Sequence, residues 1–125
     1  MRTVGIIRNA NVLNRWGNIS TTVILTEERI CHICEGHEAD YLQLGKYLSL
    51  AIEEPTYILE DVKNAGTAMF IRHIEDTNIN VVIRLALSSD HSDLCSSVIT
   101  MYRLGDKTLK RLLKKNPLVY KAPEM

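Results

Sequence analysis

At 125 residues the chain is the size of one ordinary domain, and 46% hydrophobic with 24% charged residues is a globular composition, not a disordered one. No apolar run is long enough to span a membrane, the first sixteen residues contain no hydrophobic leader core, and three cysteines cannot close a disulfide framework, so the expectation is a cytoplasmic protein with reduced thiols. The formal net charge is zero but polarised: residues 26–61 carry nine acids against Arg29 and Lys46, and residues 101–125 carry seven bases against Asp106 and Glu124, so the basic C-terminal part can still meet a polyanion.

In chain order, TVGIIR (3–8) reads as a short strand, residues 9–20 as an Asn- and Gly-rich loop, and TTVIL (21–25) as a second strand. Thr26 is a plausible N-cap with Glu27 and Glu28 in the first helical turn; Ile30, Ile33 and Cys34 mark the buried face, and Gly36 suits the end of that helix. A second helix is expected from about 38 to 53, stopped by Pro55, followed by an extended segment at 56–61 and a loop at 61–66. Strands are expected at 67–75, 79–87 and 96–104, with a turn at 76–78 and a loop at 88–94. In the second of these Ile79, Val81, Ile83, Leu85 and Leu87 share one face, and Arg84 lies on the other with Val82 and Ala86. Asp106 can cap a last helix at 107–115 that buries Leu109, Leu112 and Leu113 and keeps Lys107, Lys110, Arg111, Lys114 and Lys115 in water, and 118–121 returns as a short strand or docked tail. The pattern is α+β: N-terminal strands and two helices packed with an antiparallel sheet of three to four strands, then a basic C-terminal helix, all in one domain over 1–125.

The densest chemistry lies in residues 26–41. Cys31, Cys34 and His37 have the spacing C-x2-C-x2-H, but a structural zinc site wants four ligands in paired segments, and Cys95, His73 and His91 are unpaired; no metal is expected. His32 and His37, five apart, lie about 140° from each other on a continuous helix. A break at Gly36 would let His37 fold back, and two imidazoles could then act as general base and acid on a phosphodiester; the plain alternative is that they cap a turn or lie in solvent. Arg72 and Arg84 stand mid-strand in apolar surroundings and need an ion-pair partner or an anionic ligand. Ser97, Thr100 and Tyr102 are ordinary strand residues unless they share a face with Arg84. Ser97 and Thr100, three apart, do so only if a bulge intervenes.

These segments together resemble the phage branch of the barnase–EndoU–colicin–RelE-like nuclease superfamily. Glu28, Arg29, Ile30, His32, Ile33 and His37 match its first block; Pro55, Tyr57, Ile58 and Asp61 its second; and Ser97, Thr100 and Tyr102 its last. The resemblance covers about residues 19–121 and departs at Glu38, where the family often has Pro, and at Ser96, where it often has Asn. It implies a phage or prophage ribonuclease, toxin-like, in a bacterial host cell. Such an enzyme cleaves RNA, tRNA among the candidates, by 2′-hydroxyl attack to a 2′,3′-cyclic phosphate without metal or other cofactor, and an inhibitor or immunity protein is a possible partner. On that reading His32 and His37 are base and acid in either order, and Arg84 and Thr100 complete the catalytic set. Arg72, Ser97, Tyr102, Lys110, Lys114 and Tyr120 contact substrate. A non-catalytic RNA- or protein-binding module on the same fold is the alternative, and a zinc-stabilised interaction domain a third.

Overall fold

The computed structural model describes residues 2–86 and 95–123, with the backbone alone for 36–40. The fold is α+β. Among the described residues one sheet contains seven strands: β1 (Arg2–Ile6), β2 (Thr22–Leu25), β3 (Tyr57–Glu60), β4 (Thr67–Ile74), β5 (Thr77–Arg84), β6 (Ser96–Leu104) and β7 (Leu118–Lys121), in the order β1-β2-β6-β5-β4-β3-β7. Every neighbouring pair is antiparallel except β2–β6, which is parallel. The sheet is therefore wider than the three to four strands expected. The N-terminal ribbon β1–β2 joins one side through β6, and β3 and β7 extend the other.

Alternation along β4–β6 separates two faces. Ala68, Phe70, Ile79, Val81, Ile83, Val98 and Met101 turn to one side and pack with Ile33, Leu44, Leu48, Ala51 and Ile52. Those residues come from α2 (Glu27–Leu44) and α3 (Leu48–Glu53), which a 3-10 turn at Gly45–Tyr47 separates. Met69, Ile71 and Leu104 turn to the other side and pack with Leu59 and with Leu109 of α4 (Asp106–Lys115). Val12, fully buried in the first core, comes from α1 (Ala10–Trp16), a helix in the stretch expected to be loop. Asn9 caps it by accepting from the Asn11 N–H at 2.9 Å, and Gly17, with φ of 79°, ends it. Both signals stand in the sequence, but the polar composition between them carries only one deeply buried position.

Gly36 does not end a helix. Helix α2 runs unbroken from Glu27 to Leu44, with Thr26 capping its start by accepting from the Arg29 N–H at 3.2 Å. An interior glycine costs ~1 kcal/mol against alanine. Burial of Ile33 and Leu44 against the sheet offsets a cost of that size, because tertiary packing supplies most helix stability in proteins. The interruption falls at Gly45 instead. The β4–β5 turn is also tighter than expected: Ile74 pairs with Thr77, leaving Glu75 and Asp76 as the connection, and Glu75 takes a φ of 55°. Asp106 is the first residue of α4 rather than its cap; its carboxylate accepts from Asn78 Nδ2 at 3.0 Å.

Gly5 sits where β1 meets α3. A β-carbon there would come within 3.1 Å of the Ile52 side chain, which is fully buried and has little room to move. Gly5→Val is expected to cost about 1–3 kcal/mol through overpacking, read as a lowered urea midpoint with an unchanged m-value.

Candidate phosphate-binding groove

Strand β6 carries one residue more than its partner needs. Val82 pairs with Thr100 and Ile83 with Val98, so Ile99 is left unpaired as a bulge. Its effect is on facing. Val98 and Met101, three apart, both enter the α2-side core. Ser97 and Thr100, also three apart, both fall on the α4 side, opposite Arg84 and Val82 of β5. The bulge therefore assembles Arg84, Ser97, Thr100 and Tyr102 on one face, which regular alternation would not do.

On that face a cleft of about 610 Å³ is lined by Arg84, Thr100, Tyr102, Ile99, Lys63 and Asp61, among others. A second cleft of about 360 Å³ shares Asp61, Lys63 and Tyr102 with it and runs under α4, where Thr108, Arg111 and Lys115 line it. The two form one groove with four bases, Lys63, Arg84, Arg111 and Lys115, against a single acid, Asp61, among the described lining residues. Ion pairs among the described residues join Arg8 to Glu53 and Arg15 to Glu60, and neither uses a groove base. Exposed cations held along a concave surface without carboxylate partners make a site suited to a phosphate chain.

The loop that presents Lys63 is fastened at both ends. Asp61 accepts from the Lys63 N–H at 2.9 Å and from Asn64 Nδ2 at 3.1 Å. Asn116, nearly buried, accepts from the Val62 N–H at 3.2 Å and donates to the Leu112 carbonyl at 3.1 Å. The end of α4 and the β3–β4 loop are thereby joined, which fixes Lys63 relative to Arg111 and Lys115.

The other expected site residues are distributed differently. His32 is exposed on α2, the helix that covers the opposite face of the sheet from Arg84. With α2 unbroken, backbone positions 32 and 37 lie about 140° apart around its axis, so the fold-back at Gly36 does not occur. The side chain of His37 lies outside the described residues, as do His91 and the whole 88–94 loop. Arg72 pairs across the sheet with Ile79, so it faces the α2 side. Its Nη1 donates to the Glu54 carbonyl at 2.6 Å at the end of α3, and its buried Nε has no protein partner. Arg72 and Tyr120 share a recess of about 310 Å³ with Arg8 and Glu53, apart from the groove. Lys110 and Lys114 are exposed on α4 but line neither cleft; Arg111 and Lys115 take that place. Cys31 is exposed, Cys34 and Cys95 are half-buried, and none of the three is joined in a disulfide. Among the described residues no group of three or more His, Cys, Asp or Glu side chains converges as a metal site.

Lys63, Arg111, Lys115 and Asn80 were not singled out by sequence. Asn80 had a usable signal: it interrupts the apolar run of β5 on the same alternating face as Arg84. Lys63 had none, since a lysine in a polar loop is unremarkable until the loop is placed.

No family model matches the chain, and no curated protein and no solved structure matches it. No described helix is long and apolar enough to cross a membrane.

In the Arg72 recess the Glu53 carboxyl has a lowered pKa. The Arg8 guanidinium, hydrogen-bonded at 2.8 Å, and then the Ser49 hydroxyl at 3.0 Å hold the Glu53 carboxyl below its ordinary value of 4.5, against a smaller opposing effect of burial. A depressed carboxyl adds stability above its unfolded pKa and loses it as the pH falls through the folded one. The stability gap between wild type and Glu53→Gln is therefore expected to be constant above about pH 5 and to close in more acid solution, measured by urea titrations across pH 2–7.

Proposed function

We propose that the protein acts on RNA, held by its phosphate backbone in the groove on the α4 side of the sheet, and that it cleaves the strand there. The observation that carries this is the convergence of Arg84, Thr100 and Tyr102 in one cleft with Lys63, extended by Arg111 and Lys115 beneath α4. A rigid β-strand holds Arg84, and the exposed guanidinium is placed to stabilise charge developing on a phosphate.

The reaction in this reading is attack of the RNA 2′-hydroxyl on the adjacent phosphorus. A P–O bond forms, the bond to the 5′-oxygen breaks, and a 2′,3′-cyclic phosphate and a 5′-hydroxyl end result. One proton leaves the 2′-hydroxyl and one reaches the departing 5′-oxygen. Groups on the groove that can give or take a proton include the Tyr102 hydroxyl, the Asp61 carboxylate and the Lys63 ammonium. His32 has no part in this step, because it stands on the other face. The resemblance to the phage nuclease superfamily supports the reaction type, its independence of metal, and a toxin-like role in a bacterial cytoplasm with an inhibitor or immunity protein as partner. Three cysteines outside any disulfide agree with a reducing compartment.

The test is incubation of single-stranded RNA and tRNA with the protein in EDTA. Arg84→Ala is expected to lower the cleavage rate by about 100-fold or more, as removal of one transition-state donor does elsewhere, while His32→Ala leaves it within about twofold. Intact RNA that is nonetheless bound in an Arg84-dependent way assigns the groove to a non-catalytic RNA-binding module. Absence of both binding and cleavage rejects the reading.

A further inference from the structure

Asn80 lies at the centre of β5, fully buried, on the groove face and directly opposite Tyr102. A primary amide in such a place destabilises the fold unless its polar atoms are paired. Its Nδ2 donates to the Tyr102 hydroxyl oxygen at 3.1 Å, and its Oδ1 has no partner. Turning the amide over would let the carbonyl accept the tyrosine proton, but both N–H donors would then point to where the carbonyl finds no partner. The present orientation leaves one N–H and the carbonyl oxygen without a partner and the reverse one leaves both N–H groups, and unpaired N–H groups are the rarer of the two in buried positions. The surroundings therefore favour the amide nitrogen toward Tyr102.

That orientation fixes what Tyr102 can offer. A phenol carries one proton and also accepts through its lone pairs. Asn80 fills an accepting direction, so the proton is left for another group. No acceptor among the described residues takes it, and Tyr102 lines both halves of the groove. Resting on the RNA reading of the groove, we infer that Asn80 is a positioning residue that presets Tyr102 as a hydrogen-bond donor, and that the ligand atom received there is an anionic phosphodiester oxygen. The arrangement selects against sugar or base groups that approach as donors, because Tyr102 meets the groove with its hydrogen.

The test uses a fluorescent single-stranded 2′-O-methyl oligoribonucleotide, which has no 2′-hydroxyl to attack and so stays intact, in EDTA, with affinity read by anisotropy. Tyr102→Phe is expected to weaken binding about tenfold, the ordinary worth of a hydrogen bond to a charged acceptor. Asn80→Leu, close in volume and free of the buried amide, is expected to weaken it several-fold in the wild-type background and not at all in the Tyr102→Phe background. Should Asn80→Leu fail to fold by thermal melting, Asn80→Ser takes its place. A methylphosphonate oligonucleotide, whose backbone is uncharged, is expected to shrink the difference between wild type and Tyr102→Phe. Equal loss from the Asn80 change in both backgrounds would mean that it acts through the fold and not through the hydroxyl, and overturns the inference. So does wild-type affinity in Tyr102→Phe, and if Arg84→Ala still loses binding in that case, the RNA reading survives. A wild-type protein that binds no RNA removes both.

Discussion

The unpaired Ile99 in β6 is the constraint on which the candidate site depends. A strand with strict two-residue alternation would send Ser97 and Thr100 to opposite sides of the sheet. One extra residue keeps Val98 and Met101 in the α2-side core while turning Ser97, Thr100 and Tyr102 toward α4. Strand β5, with no such interruption, then sets Arg84, Val82 and Asn80 opposite them in regular order. The core on one face and the groove on the other are thus satisfied by a single local irregularity. Bulges are a common way for a sheet to re-aim side chains without losing its ladder.

Around that feature the protein places its polar groups unevenly. The α2 side is almost wholly apolar beneath its helices, whereas the α4 side has Asn78 and Asn80 buried within the strand. Asn78 is well used: its Oδ1 accepts from His73 Nδ1, and its Nδ2 donates to the Leu104 carbonyl and the Asp106 carboxylate, tying the β4–β5 hairpin to the start of α4. Asn116 does the corresponding work at the other end of that helix. Helix α4 is short and holds one deeply buried residue, Leu109. Hydrogen bonds at its two ends therefore matter more to its placement than they would for a helix with a broad apolar stripe. The basic side chains it brings to the groove owe their position to these two asparagines.

Much of the strand order was legible in the sequence because β-branched alternation and turn residues are local signals. Strand β6 coincides with its expected span of 96–104, and the Thr26 cap and the side taken by Arg84 were readable in the same way. What failed has a common cause. Gly36 was read by its intrinsic preference, and burial of Ile33 and Leu44 on either side overrode it. Helix α1 was missed because one buried valine among polar neighbours has no periodicity to detect. The grouping of His32 with Arg84 required knowledge of which face each element covers, and that is set by long-range pairing. The need for a bulge between Ser97 and Thr100 could be stated from spacing alone, but not whether one existed.

The lone parallel junction between β2 and β6 has a consequence for how the chain folds. It consists of two residue pairs, Val23 with Ser96 and Ile24 with Ser97. Beside it the buried Ser96 hydroxyl donates to the Ser20 carbonyl at 2.7 Å and accepts from the Ala86 N–H at 3.1 Å, while the Ser20 N–H donates to the Ala86 carbonyl. The Ser96–Ser20 contact joins residues 76 apart in sequence, and closing so long a loop carries an entropy cost that short hairpins avoid. The β3–β4–β5–β6 meander needs only neighbour-to-neighbour closures, so on topological grounds it orders first and the N-terminal ribbon docks on it afterwards. Every described groove residue lies between positions 61 and 116. The candidate groove is thus drawn from one stretch of chain, and α2 and α3 cover the core on the opposite face of the sheet.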